Sequence, residues 1–344
     1  MVSSDKDSSS NHASRSWPAF AMGARHALWR IWPALIAMSL PLAVSFGVYA
    51  FSVDHLIKDI NDESWTTLRN VAFNPDAADQ FMRDVGGRIQ FGIASGLMRI
   101  AAAAATALAI IVLARRIGSS AAISIAAVLV IVCTAFYFTA LTLEQPHAFA
   151  GKSRVAIGYI YEAARPGGFK NIDQAIRLNI LASLVGGISL LAAFAAVALR
   201  ARHDDNAAAD LQGRMRDLER TTIFCAAFLV LLTALNKTLV DWTQAVLDEH
   251  HQKAYAYLAG AISTYWGTFG TLVLVSALVP AFVGLRLDID KSARAWSEDQ
   301  EEANRWKKDH GLEFDMKSGI GAAIAAAAPM LTVPGIELAS KLLH

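Results

Sequence analysis

Apolar residues fall in six long runs separated by polar stretches: Ile31–Val53, Gly92–Ala114, Ala121–Thr142, Leu178–Leu199, Thr221–Val240 and Tyr257–Leu285. Each run is near the ~20 residues that a helix needs to cross ~30 Å of hydrocarbon. The pattern predicts an all-α polytopic transmembrane helical bundle with six spans. Three blocks follow from it. Residues 1–30 form a disordered or interfacial cytoplasmic N-terminus, 31–285 the six-span transmembrane domain, and 286–344 a cytoplasmic helix followed by an Ala/Gly-rich apolar tail. The first run is too long for a signal-peptide core and reads as an uncleaved anchor.

Breaks in the pattern add detail. Pro41 predicts a kink in the first run, and the length of the last run with Pro280 near its end predicts tilt or a kink. Gly186-Gly187 marks a weak point or a close-packing face in the fourth run. Between the first two runs, Asn74-Pro75-Asp76 reads as a helix start, with Ala78, Phe81, Met82 and Val85 following at helical spacing. Pro166-Gly167-Gly168 reads as a turn, and Asn171 with Gln174 as a capping box. Short extracytoplasmic helices are therefore expected. Residues 200–220 read as a charged connector and 286–310 as a solvated helix ending at Gly311. Gly319–Ile336, cut by Pro329 and Pro334, reads as a peripheral, re-entrant or seventh spanning segment.

Composition agrees with this picture. Charged residues make up 18% of the chain, against about a quarter in soluble domains. A net charge of +1 gives no field that argues for nucleic acid. Cys133 and Cys225 fall inside apolar runs and read as small buried hydrophobes. With the N-terminus inside, 19 of the 31 Lys and Arg residues lie in cytoplasmic segments, so both termini are expected in the cytoplasm. The Ala-rich composition and basic inner loops suit a bacterial inner membrane.

Candidate chemistry is sparse. Arg99 is the one Arg well inside an apolar run, where an ionisable group is either functional or snorkels to the headgroups. Lys237 and Asp241 are spaced to pair across one helical turn, beside Asn236. Together with Arg99 they form a candidate intramembrane polar cluster, with an Arg99–Asp241 contact expected. Gly92 and Gly96 form a GxxxG, and Ser263, Gly267 and Thr271 a second row of small residues; both are candidate helix-packing faces. Tyr255, Tyr257, Tyr265 and Trp266 read as an aromatic belt. Asp248-Glu249-His250-His251 has metal-ligand residue types, but adjacent histidines on a helix point about 100° apart. Gly151-Lys152-Ser153 lacks the first glycine of a phosphate loop, since Pro146 stands there.

No histidine lies in any of the six runs, and HExxH, GxSxG and dinucleotide fingerprints are missing. The chain predicts no catalytic residue, cofactor or metal, and no nucleic-acid partner. Its expected partners are the lipid bilayer and either copies of itself or another membrane protein. The leading expectation is a non-enzymatic pore, scaffold or effector component. The alternatives are a secondary transporter for a small solute and a sensor signalling through a separate cytoplasmic partner.

Overall fold

The computed structural model describes eight positions between Ala34 and Val44 and residues 78–142, 169–199, 207–245 and 249–313. Among these the regular structure is helical: α1 (Ala78–Ile117), α2 (Ser119–Thr142), α3 (Phe169–Ala198), α4 (Ala207–Ala245), α5 (Glu249–Trp296) and α6 (Gln300–Asp309). Four stretches are long and apolar enough to cross a membrane: Met82–Ile117, Ala175–Ala198, Ala208–Gln244 and Thr264–Trp296. In α2, Ala121–Ala135 is also apolar. The eight positions of the first run are helical, and Ala34 and Ala37 join the packed core.

Paired contacts fix the directions of the helices. Ser95 meets Asn179, Ala102 meets Gly186 and Thr106 meets Ser189, so α1 and α3 climb together. α4 runs against α1, with Trp242 beside Gly87 and Asp210 beside Arg116. It also runs against α3, with Phe228 beside Gly186 and Arg214 beside Val197. α5 runs against α4, with Gly270 beside Leu229 and Asp288 beside Arg214. α1 reverses into α2 at Gly118, whose φ of +93° suits glycine. The Gly118 N–H donates to the Ala114 carbonyl at 3.0 Å and closes the helix end.

Small residues let the backbones approach. Ala101, Ala102, Ala105 and Ala109 of α1 and Ala192, Ala193 and Ala196 of α3 share one core with Phe194, Leu190 and Phe228. A Cβ placed on Gly186 would lie 2.5 Å from the Phe228 ring and 3.1 Å from the Ala102 backbone. Glycine is required there by the close approach. Outward, the surface is apolar: Ile93 and Ile100 of α1 are 60% and 68% exposed, and Ile123 and Ile131 of α2 59% and 66%. A chain that buries alanine and exposes isoleucine is built for an apolar surround.

The structure redraws several expected boundaries. The run at 92–114 is the later part of a single 40-residue helix, so the helical spacing at Phe81, Met82 and Val85 belongs to α1. At 1.5 Å per residue this helix is about 60 Å long, twice the hydrocarbon thickness. Most of the expected connector at 200–220 is the first part of α4. The helix expected over 286–310 is divided. α5 continues to Trp296, the chain turns at 297–299, and α6 starts from Asp299, whose carboxylate accepts the Glu301 N–H at 3.0 Å. α6 ends before Gly311, which has a φ of +60°. Pro280 lies inside α5 without ending it. α3 is already helical at Phe169, before the expected cap at Asn171. The expected features at Asn74-Pro75-Asp76, Pro166-Gly167-Gly168 and Gly319–Ile336 lie outside the described residues.

The two adjacent glycines of α3 give a paired test. Gly187 has open space around it. Gly186→Leu should destabilise by about 1–3 kcal/mol through overpacking, while Gly187→Leu stays near wild type. Thermal unfolding of both variants in one detergent checks the difference.

Candidate functional site

Among the described residues two clusters of charged side chains stand toward opposite ends of the bundle, with the Arg99 cation between them. At the end where α1 meets α2, Arg115 and Arg116 close α1. Asp210, Arg214 and Asp217 stand on the first turns of α4, at a spacing that puts them on one face. Arg116 bridges Asp210 at 2.5 Å and Asp217 at 3.2 Å, and Arg115 reaches Asp217 at 2.6 Å. Arg214 donates from Nη1 to Asp288 of α5 at 2.8 Å and from Nε to the Val197 carbonyl at 2.9 Å. Val197 lies in the last turn of α3, whose final carbonyls lack intrahelical donors, so Arg214 also caps that helix.

The centre of this knot is dry: the Arg214 side chain is 0% exposed and that of Asp217 2%, while Arg115 and Asp210 at its rim are 51% and 34% exposed. Three arginines face Asp210, Asp217 and Asp288, so the charges balance. Arg116 Nε, Arg214 Nη2, Asp210 Oδ2 and Thr221 Oγ1 are buried without a hydrogen-bond partner. α6 folds back over the knot. Lys307 bridges Asp290 at 2.6 Å, and Gln212 donates to the His310 carbonyl at 2.5 Å. Trp306 of α6 and Leu312 just after it are buried.

At the other end, Trp242 of α4 leans on α1. Its indole N–H donates to Asp84 at 3.0 Å. Arg88 holds the same carboxylate with contacts of 2.9 and 3.0 Å and lies 5.8 Å from the Trp242 ring centre. Phe91 packs on the indole with ring centres 5.6 Å apart. Gly87 makes room, because a Cβ there would overlap the Trp242 side chain.

The residues singled out from the sequence are distributed as follows. Lys237 pairs with Asp241 at 3.1 Å, one turn along α4. Asn236 donates back to the Leu232 carbonyl of its own helix at 3.0 Å. Arg99 is not brought to them. It stands on α1 facing α3, beside a groove of about 280 Å³ lined by Ala102, Ala103, Thr106, Leu178, Ala182 and Val185, among others. The expected Arg99–Asp241 contact is not formed. Gly92 and Gly96 are exposed, and a Cβ added to either would meet nothing within 4 Å. Gly267 is buried, and Thr271 donates to its carbonyl at 2.9 Å. The side chain of Ser263 lies outside the described residues. So do those of Glu249, His250 and His251, and Asp248 altogether. Among the described residues no group of three or more His, Cys, Asp or Glu side chains is placed to hold a metal ion.

Sequence reasoning missed the knot. Its one local signal is the Asp210, Arg214, Asp217 spacing beside a tight Arg115-Arg116 turn. The Asp84–Trp242 bond has no local signal.

No protein-family model matches the chain, and neither the curated proteins nor the solved structures contain a match.

The knot predicts strong non-additivity. Asp217→Ala leaves the half-exposed Arg115 without its partner and Arg116 with only Asp210, and should cost about 1–3 kcal/mol. Arg214→Met and Asp288→Leu should each destabilise, while the double variant is milder than the sum of the two. Denaturation midpoints across the four-member cycle measure the coupling.

Proposed function

We propose that this protein is a non-enzymatic multi-pass membrane protein that works by assembling with copies of itself. The observation that carries the reading is the open face of α1. Ile89, Gly92, Ile93, Gly96, Leu97 and Ile100 form a contiguous exposed strip. Among the described residues no atom lies where a Cβ of either glycine would stand, so a second helix has room to approach the backbone. In this reading the chain crosses six times, with both termini in the cytoplasm of a bacterial inner membrane. The clustering of Arg115, Arg116, Arg214 and Arg216 toward one end of the bundle supports that orientation through the bias of basic residues to the inside.

A secondary transporter is the second reading. The ion-pair knot favours it, since charged pairs that tie α4 to α1 and α5 are contacts that a rocking bundle would make and break. Solute flux lost in Asp288→Asn, with folding and assembly retained, would move the transporter ahead.

Oxidative crosslinking separates the two. The native cysteines, Cys133 and Cys225, are buried. Leu97→Cys therefore offers an exposed thiol on the open face. In native membranes it should crosslink to a dimer, and adding Gly96→Leu should remove most of that product. A chain that stays monomeric in both membranes and detergent would end the assembly reading.

A further inference from the structure

The groove beside Arg99 combines one cation with an apolar trough. Leu178, Leu181, Ala182 and Val185 of α3 form one wall and Ala102 and Ala103 of α1 the other. Its second polar residue, Thr106, is already satisfied. The Thr106 hydroxyl donates to the Ala102 carbonyl at 3.0 Å and lies 3.1 Å from Ser189 Oγ. Arg99 is exposed, and no ion pair or hydrogen bond joins it to another described residue. The trough therefore has one unsatisfied charge and otherwise asks for hydrocarbon.

Depth narrows the occupant. Arg99 and Arg115 are on the same helix, about 24 Å apart along its axis. If Arg115 marks one hydrocarbon boundary, Arg99 lies a few ångströms inside the other, given a thickness of about 30 Å. Its side chain reaches the phosphate level by extending outward, while the trough runs inward from it toward Thr106. A small soluble anion would leave the apolar walls unused. An uncharged acyl chain would fill the trough but give the Arg99 cation no anionic partner at the phosphate level.

We propose that this groove holds an anionic phospholipid of the surrounding leaflet, with its phosphate on Arg99 and one acyl chain lying in the trough between α1 and α3. The site does not depend on self-assembly. It adjoins the open face, because Gly92, Gly96, Arg99 and Ala103 follow at spacings of four, three and four along α1.

Native mass spectrometry of the full chain tests it, with phosphatidylglycerol and phosphatidylcholine of identical acyl chains added in equal amounts. Wild type should retain phosphatidylglycerol over phosphatidylcholine by about fivefold. Arg99→Gln should erase that preference. Ala103→Phe, which keeps the charge and fills the trough, should reduce retention of both lipids. Soluble glycerol phosphate should not displace the bound lipid. Equal retention of the two lipids by wild type, an unchanged preference in Arg99→Gln, or unchanged retention in Ala103→Phe would overturn the proposal. Displacement by glycerol phosphate would point to a free-anion site and overturn it as well. Gly96→Leu should leave lipid retention intact, so a failure of assembly and a failure of lipid binding are read separately.

Discussion

Helices that meet in hydrocarbon gain little from burying one apolar surface against another, because lipid tails are as apolar as leucine. What remains is dispersion between closely approaching backbones and polar groups that have nowhere else to go. The structure depends on the first of these at the meeting of Ala102, Gly186 and Phe228. A larger side chain at position 186 would separate α3 from α4 and α1 together. The alanines of α1 and α3 extend the same close approach along the shared length of these parallel helices, and Ser95–Asn179 and Thr106–Ser189 pin its register.

The ion-pair knot supplies the second component, and its energetics differ. Burying Arg214 and Asp217 costs desolvation energy that their partners largely offset, so the net gain over a well-packed apolar alternative is small. Each pair instead makes mispairing expensive. Arg214 illustrates this by joining three elements at once: its own helix, Asp288 of α5 and the carbonyl end of α3. A shift of α4 by one turn would break all of these contacts and leave charges buried without partners.

How much of this is legible in the sequence depends on the range of each interaction. Four of the six apolar runs lie on helices long and apolar enough to cross a membrane, because length and composition are local properties. The isolation of Arg99 among apolar neighbours is equally visible. Its surroundings are not, since a linear reading cannot say that position 99 shares a groove with 178–185 on α3 rather than meeting Asp241 on α4. Asn236 reads as part of a polar cluster, yet its amide turns back to Leu232 of its own helix, as Asn, Ser and Thr side chains do when no neighbour is within reach. The knot joins residues about a hundred positions apart. The helical continuation through 207–220 is also hidden, because a charged stretch reads equally well as a loop or as a solvated helix until tertiary contacts decide.

The unbroken length of α4 has a mechanical consequence. This single rod carries Asp210, Arg214 and Asp217 near one tip and Trp242 near the other, and Phe228 wedges against Gly186 close to its waist. A stiff bar pinned at the middle works as a lever with its fulcrum at the pin. Rocking it would swing the Trp242 tip opposite to the arginine tip, so loosening either set of contacts strains the other across the full thickness of the bundle.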